Sequence, residues 1–249
     1  MNGPAATTAS ALDSFGGAID FIFNSREAVG GGVQVGGLEQ VGELLWAQTW
    51  VSALALAVAI AVTLPVAVYL GHRGTGELLA VAIGNAGRAV PELALIAIMA
   101  AFIGLGVLPL TIALMILGIP PILTNTFVGI RQVDPGAVEA ARGMGMTEAE
   151  VIRKVELPLA VPTIMGGIRT GAINIVATAT IAPLVGVLTL GDFIINRNVY
   201  GDEGVVAGAI LVALLALAFE LVLAGLQRLL TPKGVRTSKP SRVQRWRTA

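Results

Sequence analysis

The chain has 249 residues, of which 55% are hydrophobic and only 13% charged, against about 25% charged in soluble domains. With a mean hydropathy of +0.82 it belongs to the membrane class, and an ordinary soluble domain is excluded. Sixteen basic residues balance sixteen acids, so no net field draws it toward nucleic acid, and none is expected as a partner. It contains no cysteine for disulfides or thiolate metal sites, and one histidine, His72, is too few for a His-built metal centre. No metal, cofactor or catalytic constellation is expected.

In chain order, residues 1–45 read as an N-terminal extracytoplasmic or interfacial segment. They lack a basic signal-peptide start, and residues 15–23 are interrupted by Asp20 and too short to span. The first transmembrane helix must therefore do the targeting. The Gly-rich stretch 30–37 reads as a flexible connector and not a phosphate loop, because no Lys-Ser/Thr follows it.

Residues 46–230 read as the transmembrane domain. A span takes roughly 20 mostly apolar residues in a helix. Stretches 48–70, 107–130, 159–190 and 205–227 meet that need. Trp46 and Trp50 anchor the first at the interface. Pro120 and Pro121 lie in 107–130, and Glu220 is the one charge in 205–227. The long stretch 159–190 holds Arg169 and Asn174 and is expected to be tilted, broken or partly outside the bilayer. Stretch 77–106 is apolar, then polar over 85–92, then apolar again. Pro91 removes a backbone donor and disfavours helix at Val90, so one kinked, discontinuous span is expected, its polar elbow buried in protein. The expectation is five spans.

Short-flank charges set the topology. From Arg228 to the end there are seven basic residues and no acid, which puts the tail 231–249 in the cytoplasm. Counting back five spans puts the N-terminus outside, where the first 47 residues carry five acids and only Arg26. Stretch 191–204, with three acids and one arginine, falls outside, and the loop 131–158 falls inside.

That loop is the polar exception, with nine charged residues. Asp134-Pro135 provides an N-cap with proline at the first helical position, so a helix is expected from there to about Met144. Gly143 and Gly145 permit a turn. Thr147 with Glu150 forms a capping box opening a second helix, 148–156, before Pro158 starts the next span. Within it, Glu139-Ala140-Ala141 is followed after three residues by Gly145 and after nine more by Val155-Glu156-Leu157-Pro158. This resembles the EAA loop of ATP-binding cassette (ABC) importer permeases, with Val155 in place of isoleucine.

Over about residues 44–230 the chain resembles the permease subunits of ABC importers for osmoprotectants such as glycine betaine, choline and carnitine. The resemblance rests on Gly71-His72-Arg73, Pro91-Glu92-Leu93-Ala94-Leu95, residues 121–126 (PILTNT), 143–147 (GMGMT), 155–160 (VELPLA) and 166–170 (GGIRT). Two stretches depart from the family pattern: 187–192, where a Gly-rich run is usual, and 88–92, where Thr-Ile-Pro-Ser is common. The resemblance implies an all-α membrane protein with five core transmembrane helices of the type I ABC importer kind and a cytoplasmic coupling helix. It implies a multi-pass cell-membrane protein with no nucleotide site of its own. The implied partners are an ABC ATPase subunit, a second permease subunit (identical or homologous) and an extracytoplasmic substrate-binding protein. Glu139, Ala140, Ala141, Gly143, Met144, Gly145 and Met146 are the expected ATPase-coupling residues. Glu139, both alanines and Gly145 would sit in a cleft on the ATPase, and the methionines would fill apolar pockets.

Candidates for a translocation path are Asn85, Arg88, Glu92, Asn125, Arg169, Asn174 and Thr178, because polar groups at membrane depth often mark a route. Each has a structural alternative. On a continuous helix Arg88 and Glu92 would pair on one face. Arg169 would snorkel or pair with Glu220. Asn174 and Thr178 would bond between helices. His72 reads as a turn residue. A second reading of the whole chain is a stand-alone secondary transporter using Arg88, Glu92, Arg169 and Glu220. The sequence offers it no inverted repeat and no metal or nucleophile-base set.

Overall fold

The computed structural model describes residues 15–232, apart from the side chains of Ala86 and Arg88. Asp13 and the basic residues from Lys233 onward lie outside the described residues. A short helix α1 (15–23) leads into a hairpin of β1 (Ser25–Glu27) and β2 (Gln34–Gly36), paired antiparallel with Arg26 opposite Val35. Stretch 30–37, expected as a loose connector, forms the hairpin's turn and second strand. Gly31 and Gly32 supply the positive φ values of 76° and 80° that the turn requires.

Helix α2 (Gly37–Arg73) follows directly. The expected boundary at 45/46 therefore falls inside a continuous 37-residue helix. The reason is periodicity: Val41, Leu44, Gln48, Val51, Ser52 and Ala55 form one buried stripe running unbroken from the polar first turns into the apolar stretch. The helix ends at Gly74, whose left-handed backbone (φ 66°) lets its N–H and that of Thr75 return to the carbonyls of Gly71 and Leu70.

Helices α3 (Glu77–Ala89) and α4 (Glu92–Ile103), of 13 and 12 residues, are separated at Val90–Pro91, where Pro91 takes an extended backbone (φ −66°, ψ 120°). Helix α5 (Val107–Arg131) keeps Pro120 and Pro121 inside its length. After the polar loop, α8 (Leu157–Thr178) tightens into 3₁₀ turns at Ala179–Val185. A short α9 (Gly191–Ile195) precedes α10 (Arg197–Leu230), which bends at Gly201. The broken end of α8 leaves backbone carbonyls without helical donors. Gln48 of α2 satisfies that of Val176 at 3.0 Å, and Thr189 that of Ala179 at 3.0 Å.

Among the described residues, four helices are long and apolar enough to cross a membrane: Gly37–Arg73, Val107–Arg131, Glu148–Val185 and Arg197–Leu230; α4 is apolar but short. Helix α5 is the hub, packed on α2, α8, α3 and α4, while α10 packs on α8 and α9. Close approach at the hub depends on absent side chains. A Cβ at Gly167 of α8 would lie 2.6 Å from the Pro121 carbonyl oxygen of α5. At the far end from the polar loop, Phe21, Phe193 and Tyr200 pack edge to face with centroids 4.9–6.2 Å apart. Arg26 closes this cap, 4.9 Å over the Phe21 ring and 3.1 Å from Glu203.

Candidate functional site

The polar loop folds as an elbow. Asp134 caps α6 (Pro135–Gly143), its carboxylate accepting from the Gly136 N–H at 3.0 Å. Gly145 then turns with φ 83°, so that Gly145 and Met146 N–H groups reach the carbonyls of Arg142 and Ala141. Thr147 and Glu150 make a reciprocal capping box opening α7 (Glu148–Val151). Arg142 spans the turn, donating to both carboxylate oxygens of Glu148 at 3.0 Å. That hydrogen bond holds the Glu148 carboxyl below its ordinary range. Glu150 accepts from Lys154 at 2.7 Å and from the Thr147 N–H, which together lower its carboxyl to about 2.

No break separates α7 from the next span. Residues Ile152–Glu156 form a wide π-helical turn, and Leu157 N–H reaches the Ile152 carbonyl. The cause is Pro158, which lacks an N–H and whose ring would clash with the carbonyl four residues back in an ordinary α-helix. The second helix of the elbow, expected as a separate 148–156, is thus the polar start of the α8 rod.

Of the expected coupling residues, Glu139, Ala140, Gly143, Met144 and Gly145 are exposed, Met144 by 72%. Met146 is half-buried. Ala141 is 2% exposed and faces the protein, so its small side chain serves the packing of α6 and not the open face.

Sequence reasoning missed the residue that seats the elbow. His72, read as a turn residue, is in the last turn of α2 with its side chain 7% exposed. Its Nδ1 lies 2.8 Å from Glu156 and its Nε2 3.0 Å from Glu148. The buried Glu156 was missed with it. An acid on the inner face of a polar helix is the one signal that could have flagged it.

The path candidates divide into two groups. Arg169 of α8 donates to both carboxylate oxygens of Glu220 on α10 and to Gln227 at 2.9 Å. Thr178 donates to Glu92 at 2.7 Å, tying α8 to the start of α4. Asn125 bonds the Pro121 carbonyl of its own helix at 2.9 Å. Asn85 and Asn174 are exposed. The α3/α4 break falls between Arg88 and Glu92, so the four-residue pairing of a continuous helix does not apply. The Arg88 side chain lies outside the described residues.

Comparison with known proteins gives these features a context. Residues 53–234 match the family described as binding-protein-dependent transport system inner membrane component. The chain belongs to that family. It is 39% identical over 206 residues to the carnitine transport permease protein OpuCB of Listeria monocytogenes, covering 81% of this chain and 94% of that one. It is 39% identical over 202 residues to the choline transport system permease protein OpuBB of Bacillus subtilis, covering 80% and 93%. In fold it is similar to the inward-facing MetNI methionine ABC transporter, with TM-score 0.68 at 21% identity over 78% of this chain and 98% of that one. The permease is thus a mainly helical, multi-pass cell-membrane transport subunit of the type I importer fold.

Proposed function

We propose that the permease carries quaternary-ammonium osmoprotectants such as glycine betaine, choline or carnitine into the cell, driven by a separate ATPase that it grips through the α6–α7 elbow. A second permease subunit, identical or homologous, completes the pathway, and an extracytoplasmic binding protein delivers substrate. The elbow and C-terminus lie in the cytoplasm and the N-terminal cap outside, as the flanking charges favour. The substrate class follows the relatives named for carnitine and choline. A quaternary ammonium prefers an aromatic cage. Trp50, Tyr69 and Phe102 are exposed and dispersed, and Phe21, Phe193 and Tyr200 fill one another's faces. High-affinity selection therefore belongs to the binding protein.

The observation carrying this reading is the elbow itself: two capped helices around a left-handed glycine, with small residues and Met144 exposed. Co-purification in mild detergent with the ATPase, followed by uptake assays, tests it. A Cβ at Gly145 meets nothing within 4 Å, so Gly145→Asp adds no clash inside the subunit. It strains the turn by about 1 kcal/mol and puts a carboxylate on the open face. The expected result is a folded permease that no longer retains its ATPase or transports. Gly145→Asn, tolerated in the left-handed region and uncharged, retains more of both. A Gly145→Asp transporter that assembles and works normally would sink the interface.

A further inference from the structure

Three separate elements meet at one side chain. His72 ends α2, Glu148 begins α7, and Glu156 closes the wide turn before α8. Among the described residues no other ion pair or side-chain hydrogen bond joins α2 to the elbow. The imidazole is 7% exposed and the Glu156 side chain 6%, so water does little to replace that contact, whereas Glu148 is 58% exposed. Beside them lies a crevice of about 180 Å³ between α2, α5 and α6. The charged groups facing this place are Glu139 and Arg142 from α6, Glu148 from α7, Glu156 from the wide turn and Arg131 from the end of α5.

Ionised carboxylates only accept hydrogen bonds. With a carboxylate oxygen within 3.0 Å of each ring nitrogen, both nitrogens must carry hydrogen for both contacts to be favourable. A neutral ring would turn one contact into lone pair against lone pair. The doubly protonated ring is the form that satisfies both contacts at once.

We propose that His72 is the positioning residue that carries elbow movement into the first long helix. This rests on the elbow being the ATPase grip. The elbow is covalently continuous with α8 and needs no further link to move it, whereas α2 is tied to the elbow through His72. Without that link α2 lags behind α8, and ATP is hydrolysed with less transport.

The test is substrate taken up per ATP hydrolysed, in liposomes holding the permease with its ATPase and binding protein. His72→Gln, uncharged, is expected to lower that ratio roughly five- to tenfold while the ATPase still co-purifies. His72→Lys, cationic and able to donate to both carboxylates, stays near the wild-type ratio. A His72→Gln transporter as well coupled as the wild type overturns the proposal. So does a His72→Lys transporter that assembles but couples as poorly as His72→Gln. Should neither His72 variant assemble, Glu148→Gln at the exposed side decides, and an unchanged ratio there refutes the link. Loss of the ATPase from the wild-type complex would instead count against the grip reading, which separates the two failures.

Discussion

Arg169 shows how a single charge at membrane depth is accommodated. The sequence left it between a role in the pathway and a pairing with Glu220, and the folded chain makes the pairing, with Gln227 adding a third acceptor. Removing one partner of such a pair leaves a half-buried charge stranded, which costs more than the pair contributes. Glu220→Ala is expected to lower stability in detergent by about 2 kcal/mol, and replacing both residues with methionine to recover most of it. Thermal unfolding of the single and double variants checks this; equal losses would show that the pair is not what the site needs. The candidate pair was legible because both residues interrupt apolar runs. His72 was not, because its partner Glu156 is 84 positions away and no local pattern brings them together.

At the scale of elements, the elbow was the most legible part of the molecule. Asp134-Pro135 and Thr147/Glu150 act through contacts within four residues, and such local signals survive folding unchanged. What escaped was how the elbow leaves: Pro158 opens a wide turn and does not break the helix, because the rest of α8 is anchored by packing on α5. The hairpin over 25–36 also escaped, since two strands of three residues carry too little periodicity to read. The elbow's charges make a pH prediction. Glu150 is depressed from 4.5 to about 2, so its contribution is fully present above 4.5 and is lost as pH falls toward about 2. Hydrogen exchange at Thr147–Val151, corrected for intrinsic rates, is expected to accelerate over that window. Glu150→Gln removes the change; protection that is flat with pH in the wild type contradicts it.

For the whole molecule, composition and span pattern settled the class, and the hub arrangement around α5 came only with the coordinates, because which apolar faces meet is not written in hydropathy. The N-terminal cap is the clearest case. Phe21 is fully buried against Phe193 and Tyr200, so the segment before α2 is part of the permease's core and not an appendage. Phe21→Ala is expected to cost about 3 kcal/mol while the ATPase still co-purifies, the cap being at the opposite end from the elbow. Unfolding melts and pull-downs on the same preparation measure both, and a variant as stable as wild type would show the cap to be dispensable. The continuous helix from Glu148 to Thr178 has one more consequence. At 1.5 Å per residue it makes a lever of about 45 Å, so a tilt of ~5° imposed at one tip sweeps the other by ~4 Å. A small rocking by a motor at one membrane face thus becomes a gate-sized displacement at the other.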